Sequence, residues 1–312
     1  MSKRRLFLVL ALLSCLGANL ITPLKPRLGE ISLTPAILWQ VGPWRISNSL
    51  LCAWLVMLLL AIIAWRAGRR LVDAPAARSL QNAAEMACEM LLGFMQNFAG
   101  PLTRAIFPVT ATFFLYILVA NWVSLMPGIG SIGLWRVSGQ ERIFVPLLRG
   151  ATTDLNTTAA LAISSVAVGH IVGVRQRGLW DYLSRFVPLQ SFITFSRSAF
   201  KGEVRIGLLA KGALELFVGL LEIVEEVTKI VSFSFRLFGN IFGGEVLLTV
   251  MAFLVPYVAS LPFLALEILA GFIQALIFAT LSTAFFARAA ARHDDETEPG
   301  DADTLAEQPM TA

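Results

Sequence analysis

Residues 207–255 read GLLAKGALELFVGLLEIVEEVTKIVSFSFRLFGNIFGGEVLLTVMAFLV, an apolar run without proline or a cluster of turn residues. A single helix of this length measures about 73 Å at about 1.5 Å per residue, whereas the hydrocarbon core of a bilayer is about 30 Å thick. The run therefore predicts a long membrane helix that either breaks or lies strongly tilted. Pro256 follows directly and is expected to end the helix.

The charge at the centre of this run is Arg236. A guanidinium cannot neutralise itself by losing a proton, and its burial in a bilayer costs at least about 2.5–3.5 kcal/mol. An Arg near a helix end usually extends to the membrane surface, but Arg236 is followed by a long apolar stretch. We therefore interpret Arg236 as a buried, fixed positive charge on an ion path. The alternative is a structural Arg paired with a neighbour on its helix.

Polar residues form a narrow stripe on the predicted helix, because residues seven apart nearly superpose. Glu222, Lys229 and Arg236 follow this spacing, and four further residues lie close to the same line: Glu225, Ser232, Asn240 and Gly243. Glu225 and Lys229 are four residues apart and are expected to pair. Arg236 has no acidic residue three or four positions away, so its partner is expected on another helix or another chain. The alternative is a ladder of charges that ties two helices together.

Small residues follow Arg236, and an acid follows them. Gly239, Gly243 and Gly244 remove bulk from the helix surface, which favours the close approach of another helix. Glu245 comes nine residues after Arg236 and therefore lies on the opposite face of a regular helix. The two residues are not expected to pair with each other.

The last apolar segment carries Glu267 and Gln274, which are seven residues apart and share a face. Acidic residues inside membrane spans are rare and indicate a proton path. The alternative for Glu267 is an interfacial position at the outer end of its helix. His170, near the end of an earlier span, is interpreted as a structural or interfacial residue in preference to a proton relay.

The composition excludes several classes of protein. The chain has 312 residues, of which 56% are hydrophobic and 15% charged, and its mean hydropathy is +0.72. Soluble domains carry about 25% charged residues, so a polytopic membrane protein is predicted. The basic residues cluster in loops and report topology, and no nucleic-acid partner is expected. Three cysteines without CxxC spacing and two histidines predict neither a disulfide framework nor a metal site, and no cofactor is expected.

Five spans are predicted, and an N-terminal anchor would make a sixth. The spans are 50–65, 106–126, 156–174, 207–255 and 262–287. The segment 79–98 is interpreted as an interfacial amphipathic helix, because Glu85 and Glu89 are four residues apart and share a face. Asp154 is a good N-cap for the span that follows it.

The spans also predict the domain boundaries. Residues 1–21 form a signal peptide or an uncleaved anchor, 22–48 an external segment, 49–288 the membrane domain, and 289–312 a disordered acidic tail in the cytoplasm. The loop 175–206 is rich in Arg and Lys, which marks it as cytoplasmic. We expect a multi-pass protein in the inner (plasma) membrane of a bacterium, with its C-terminus in the cytoplasm.

The run SFSFRLFGNIFGGE, residues 232–245, resembles subunit a of the rotary F-type ATP synthase. Supporting matches are Asp154-x-Asn156-Thr157, Glu222 and Lys229 before the Arg, and the run QALIF at 274–278. The resemblance covers about residues 35–288. It implies an all-α polytopic fold with two long tilted helices that face a ring of c subunits.

The resemblance also implies roles for individual residues. Arg236 would be the stator arginine that faces the carboxylate of each passing c subunit, with Gln274 close to it on the neighbouring helix. Glu245 and Glu267 would line the half-channel open to the outside, and Glu222 would lie near the inner half-channel. Family members often hold a Glu and a His at the two positions matching Glu245 and Glu267, so the residue that relays the proton stays open.

The implied partners are the c-subunit ring, the peripheral stalk b subunits, the soluble ATPase head through the complex, and the lipid bilayer. The chain would not be an enzyme by itself. A second reading is a secondary transporter or a stand-alone ion channel with a buried Arg, which would act alone and often carry an inverted repeat. No repeat is evident in the sequence. An intramembrane enzyme would need a nucleophile or a metal motif such as HExxH, and the sequence contains no such motif.

Overall fold

The computed structural model describes residues 34–69, 79–126, 128–130, 132–138, 141–184, 206–254 and 260–290. Seven α-helices and two antiparallel hairpins lie within these ranges. The helices are α1 (Asn48–Gly68), α2 (Leu80–Ala99), α3 (Thr103–Ser124), α4 (Leu155–Arg177), α5 (Leu179–Ser184), α6 (Ile206–Leu254) and α7 (Ser260–Ala290). The predicted signal or anchor, nearly all of the acidic tail, most of the basic loop and Pro256 lie outside the described residues.

Helix α6 runs without a break over 49 residues. The prediction of one long helix over 207–255 is confirmed, because nothing in this run removes a backbone donor or favours a turn. At about 1.5 Å per residue the helix is about 73 Å long, which is more than twice the thickness of a bilayer core. Of the two alternatives, a break is therefore excluded within Ile206–Leu254, and a strong tilt is required in a membrane.

The core forms where α3, α4 and α6 meet α7. Phe278 of α7 lies 5.6 Å from Phe113 of α3 and 5.0 Å from Phe233 of α6, measured between ring centroids. Leu237 and Ala275 are fully buried in the same cluster. Lipid is as apolar as these side chains, so the helices associate in a membrane through close packing and interhelical hydrogen bonds. This packing fixes one side of α6 against the rest of the chain.

Helix α2 coincides with the segment predicted to be amphipathic. Ser79 caps it by accepting a hydrogen bond from the backbone N–H of Asn82. Leu91 and Met95 are buried in the core cluster, whereas Glu85 and Glu89 are exposed. The amphipathic character is therefore confirmed, and its placement at the membrane surface stays a prediction.

Four segments of the described chain are long and apolar enough to cross a membrane: Asn48–Gly68, Gln81–Ser124, Leu155–Arg177 and Ser260–Ala290. The second of them joins α2 and α3 through a short 3-10 turn, Gly100–Leu102. The predicted spans 50–65, 106–126, 156–174 and 262–287 fall within these four segments, except for the last two residues of the second. The predicted span 207–255, which corresponds to α6, is not among the four, and its position in the membrane stays a prediction. Asp154 caps α4, as its sequence position indicates.

Two short β-hairpins are present that the sequence analysis did not anticipate. Strand β1 (Ile37–Val41) pairs with β2 (Trp44–Ser47), and β3 (Gly133–Ser138) pairs with β4 (Glu141–Pro146). The side-chain amide of Asn48, the first residue of α1, donates to the backbone oxygen of Pro146 at 3.3 Å and so joins the start of α1 to the end of β4. Strands of four to six residues between membrane spans carry too few alternating positions to stand out in the sequence.

Candidate functional site

Arg236 lies on the side of α6 that the described chain leaves uncovered, and its side chain is exposed. None of the described helices packs over Arg236, and its burial in a bilayer stays a prediction. One guanidinium nitrogen donates to the Ser232 hydroxyl at 3.3 Å. The guanidinium carbon also lies 6.0 Å from the centre of the Phe233 ring. These two neighbours fix the direction of the guanidinium without neutralising its charge.

Arg236 has no carboxylate within ion-pairing distance among the residues that the structure describes. The stripe carries no acidic residue three or four positions from Arg236, as the sequence indicates. The structure adds that no neighbouring helix supplies one from inside the described chain. The charge therefore faces outwards without a counter-ion of its own.

The three glycines after Arg236 fall into two groups. Gly239 and Gly243 are exposed, and a Cβ atom added to either would meet no atom within 4 Å. A Cβ atom at Gly244 would overlap the carboxyl group of Glu267 on α7. The first group leaves an open, flat strip beside Arg236, and the second makes room for an acidic side chain from the adjacent helix.

Lys229 is held within the chain, in contrast to Arg236. Its ammonium lies 3.1 Å from Glu225 and 2.9 Å from Glu226, and its side chain is only 11% exposed. Arg288 of α7 adds a second cation to Glu225 at 3.2 Å. The predicted pair between Glu225 and Lys229 is confirmed. Since the cluster balances its charges internally, it joins α6 to α7 at one end of the molecule.

His170 of α4 belongs to the same end of the molecule. Its Nδ1 atom is hydrogen-bonded to the hydroxyl of Tyr182 at 2.6 Å, and its Nε2 atom lies 4.0 Å from Glu226. A cavity of about 20 Å³ lies between α4, α5, α6 and α7 beside these side chains, which is room for about one water molecule. The arrangement supports the structural interpretation of His170.

Glu267 occupies a different environment near the other end of α6. It is 6% exposed, and its Oε1 atom is buried without a hydrogen-bond partner in the described chain. Gln274, two turns along the same face of α7, is also 6% exposed. The Nδ2 atom of Asn240 on α6 is likewise buried without a hydrogen bond to any described residue. These groups are polar, enclosed and available for hydrogen bonds with water or a transferred proton.

Glu245 follows Gly244 directly and has a cation partner. Its Oε2 atom lies 3.2 Å from a guanidinium nitrogen of Arg149 in the segment before α4. Arg149 is 12% exposed on its side chain, whereas Glu245 is 42% exposed. The other terminal nitrogen of Arg149 donates to the backbone oxygen of Thr34 at 3.4 Å. The structure thus brings Glu245 and Glu267 to the same region, and among the described residues it gives a counter-ion to Glu245 and none to Glu267.

The acid at the start of α4 has a structural role. Asp154 is 4% exposed and accepts hydrogen bonds from the Ser49 hydroxyl at 2.6 Å and from the backbone N–H of Asn156 at 2.9 Å. The first bond ties α4 to α1. Glu222 is half-buried on α6, 23 residues before Glu245. Along a helix this separation is about 34 Å, so Glu222 belongs to the opposite end of α6.

The sequence matches the family described as ATP synthase A chain over residues 50–287. This range includes the long helix, the Arg236 stripe, Glu245, Glu267 and Gln274. The chain belongs to the ATP synthase A-chain family.

Relatives of the ATP synthase A-chain family cover most of the sequence. ATP synthase subunit a of Moorella thermoacetica is 30% identical over 253 residues, which is 81% of this chain and 95% of the relative. Subunit a of Gloeobacter violaceus is 30% identical over 273 residues, covering 87% and 95%. ATP synthase subunit a 1 of Syntrophotalea carbinolica is 33% identical over 237 residues, covering 76% and 83%. The chain is therefore a multi-pass membrane protein of the membrane sector that serves ATP synthesis and proton transport.

Sequence reasoning missed three residues that this member of the ATP synthase A-chain family places in the site. Glu226 neighbours Glu225 in the sequence but turns towards Lys229 and His170. Tyr182 comes from α5, 12 residues after its partner His170, and Arg149 comes from a loop 96 residues before its partner Glu245. The only available signal was charge or hydrogen-bonding capacity close to a membrane span, and that signal does not specify a partner.

Proposed function

We propose that this chain is the ion-translocating stator subunit of the ATP synthase membrane sector, in which Arg236 couples proton flow to rotation of the c-ring. The observation that carries the proposal is the setting of Arg236. It is a permanent cation on an uncovered helix side, beside the open strip at Gly239 and Gly243, with no carboxylate from the described chain. This setting suits a carboxylate supplied by another chain.

The coupling follows from the cost of moving charge through lipid. A rotor carboxylate crosses lipid only when it carries a proton, because the ionised form loses too much solvation. Opposite Arg236 the ionised form is stabilised by the guanidinium, so the proton leaves the rotor there. A fixed cation in the gap also repels protons and prevents a direct leak between the two sides of the membrane.

Two offset half-channels complete the mechanism. Glu245, Glu267, Asn240 and Gln274 would line the path to the outside, and Glu222 would lie near the path to the cytoplasm. Because the two paths do not meet, a proton has to travel on the rotor between them. The transmembrane potential supplies about 2.3 kcal/mol per charge per 100 mV, and the offset converts this energy into rotation in one direction.

The chain would work as a non-catalytic part of a complex. Its partners would be the c-subunit ring, the peripheral stalk b subunits, the lipid bilayer and, through the complex, the soluble ATPase head. Arg288 in the last turn of α7 and Arg175 and Arg177 in the last turn of α4 support a cytoplasmic location of these helix ends by the positive-inside rule. The protein would lie in the inner membrane of a bacterium, with its C-terminus in the cytoplasm.

The test is ATP-driven acidification of inverted membrane vesicles, with wild type compared with Arg236→Ala. Removal of a charge that stabilises the reacting state lowers rates by about 100-fold or more, so pumping should be lost while the complex still assembles. Arg104→Ala is a matched control, since Arg104 is an exposed arginine of α3 outside the site, and it should pump normally. Stripping the soluble head should then reveal an increased passive leak in Arg236→Ala.

Unchanged pumping in Arg236→Ala would mean that the charge is structural and would overturn the proposal. The rival function, a transporter or channel that acts alone, predicts ion flux from the purified chain in liposomes without any c subunit. Flux of that kind, abolished by Arg236→Ala, would favour the rival.

A further inference from the structure

Two glutamates near the end of α6 that we propose is the outer one differ in their counter-ions, although both lie close to Gly244. The carboxyl of Glu267 packs on Gly244, and Glu245 is the next residue of α6. Glu245 is 3.2 Å from Arg149, whereas Glu267 forms no ion pair with any described residue. Among the described residues, one carboxylate therefore has a cation partner and the other has none.

Arg149 is committed to Glu245. Its side chain is 12% exposed, and its remaining terminal nitrogen is used by the backbone oxygen of Thr34. Asp154, the nearest acid along the chain, is bonded to Ser49 and to the backbone of Asn156 instead. Protonation of Glu245 would leave a largely enclosed guanidinium without its counter-ion, and an isolated buried charge is costly.

Glu267 has no such constraint. It is 6% exposed, and its Oε1 atom has no hydrogen-bond partner in the described part of the chain. It gains or loses a proton without breaking an ion pair. Gly244 leaves the space for its carboxyl group, and Gln274 lies two turns further along the same face of α7.

We propose that the ion pair with Arg149 keeps Glu245 out of proton transfer and that Glu267 carries the proton in the outer path. This inference rests on the proposed function. Glu267 in its carboxylate form takes one proton from water outside and gives the same proton to the rotor carboxylate, so its charge is restored after each transfer. Glu245 balances the charge of Arg149, which would otherwise repel protons close to Glu267. Arg149 is thus a positioning residue, because it acts through Glu245.

The experiment measures proton conduction through the assembled ATP synthase in vesicles whose soluble head has been removed. Glu267→Gln should lower conduction by about 100-fold, the usual scale for loss of a proton-transfer group. Glu245→Gln should also lower it, since Arg149 is then unpaired. Arg149→Gln/Glu245→Gln should conduct about tenfold faster than Glu245→Gln, because removal of both charges restores electrical balance.

A second readout separates charge from packing. Arg149→Gln leaves the Glu245 carboxylate without its cation, so the pH profile of conduction should shift. Arg149→Lys keeps the cation and should retain the wild-type profile. A purely structural role for Arg149 would change the amount of assembled complex and leave the pH profile as it is. Assembly is checked by the head ATPase activity bound before stripping.

The inference is overturned if Glu245→Gln and the double variant are equally inactive in a normally assembled complex, because Glu245 then carries the proton. It is also overturned if Glu267→Gln conducts while Glu245→Gln does not, and the proposed function stands in that case. If both single glutamate variants conduct at the wild-type rate, the outer path runs elsewhere, and that part of the proposed function fails together with the inference.

Discussion

Lys229 and Arg236 lie seven residues apart on one face of α6, yet their surroundings differ. In the covered part of this face, Lys229 contacts the Phe285 ring of α7 and pairs with two carboxylates of its own helix. In the uncovered part, Arg236 is exposed and has a hydroxyl and a ring as its neighbours. The described chain therefore neutralises the cation in the covered part and supplies no carboxylate to the cation in the uncovered part.

The largest effect is expected from exchanging the two types of cation. Arg236→Lys should lower ATP-driven pumping in inverted vesicles by about 100-fold, because an ammonium lacks the planar geometry and the permanent charge of the guanidinium that we propose faces the rotor. Lys229→Arg keeps a cation beside Glu225 and Glu226 and should pump within a few-fold of wild type. An equal loss of pumping in the two variants would contradict the distinction between the covered and uncovered parts of α6.

A smaller effect is expected from two adjacent glycines. Gly244→Ala forces the Glu267 carboxyl to move, and displacement of a reacting group by about 1 Å lowers rates by as much as 100-fold, so we expect proton conduction to fall about tenfold. Gly243→Ala meets no atom of the described chain within 4 Å. The thermal unfolding temperature of the isolated chain in detergent should therefore be lowered by Gly244→Ala and not by Gly243→Ala. The same unfolding temperature for both variants would contradict the division of the glycines.

Loss of the positive charge of Lys229 should lower the stability of the folded chain. Lys229→Met leaves Glu226, whose side chain is 19% exposed, without its lysine partner. A partly buried group that loses its partner costs about 1–3 kcal/mol, so the midpoint of chemical denaturation in detergent should fall. Lys229→Arg serves as the control, because it keeps the charge. If Lys229→Met is as stable as wild type, the cluster does not join α6 to α7.

The smallest effect is expected at the exposed ion pair between Arg288 and Glu225. Arg288 and Glu225 have side-chain exposures of 56% and 43%, and exposed ion pairs contribute about 0–1 kcal/mol. Arg288→Gln should lower the free energy of unfolding by less than about 1 kcal/mol, and the difference should disappear in concentrated salt. A larger loss that persists in salt would show that Arg288 belongs to the buried part of the cluster.

Much of the fold could be predicted from the sequence, because its main signals are local. The absence of proline from 207–255 predicts α6, the acid at position 154 predicts the start of α4, and helical spacing predicts the pair between Glu225 and Lys229. The hairpins could not be predicted in this way, since their strands are short and their partners are set by backbone pairing.

In the candidate site too, features set by nearby residues could be predicted and features set by distant residues could not. The lack of an acid three or four residues from Arg236 correctly indicates that its own helix supplies no partner. Exposure of Arg236 could not be predicted, because it depends on which side of α6 the other helices cover. The ion pair between Arg149 and Glu245 joins residues that are 96 positions apart. Their positions in the sequence do not predict that they are in contact. The roles assigned to Arg236, Glu245, Glu267, Gln274 and Glu222 stay predictions.

Because the backbone of α6 is unbroken, the distances between its residues along the helix axis are fixed. Because each residue advances about 1.5 Å, Glu222 and Arg236 are about 21 Å apart along the axis, and Arg236 and Glu245 about 13 Å apart. Hydrogen bonds along the whole helix keep these intervals from stretching independently. The axial spacing between Glu222, Arg236 and Glu245 is therefore set by the number of residues between them. One inserted residue between Arg236 and Glu245 would turn all later side chains by about 100° relative to Arg236, so in the proposed function the outer path would no longer be aligned with the coupling charge.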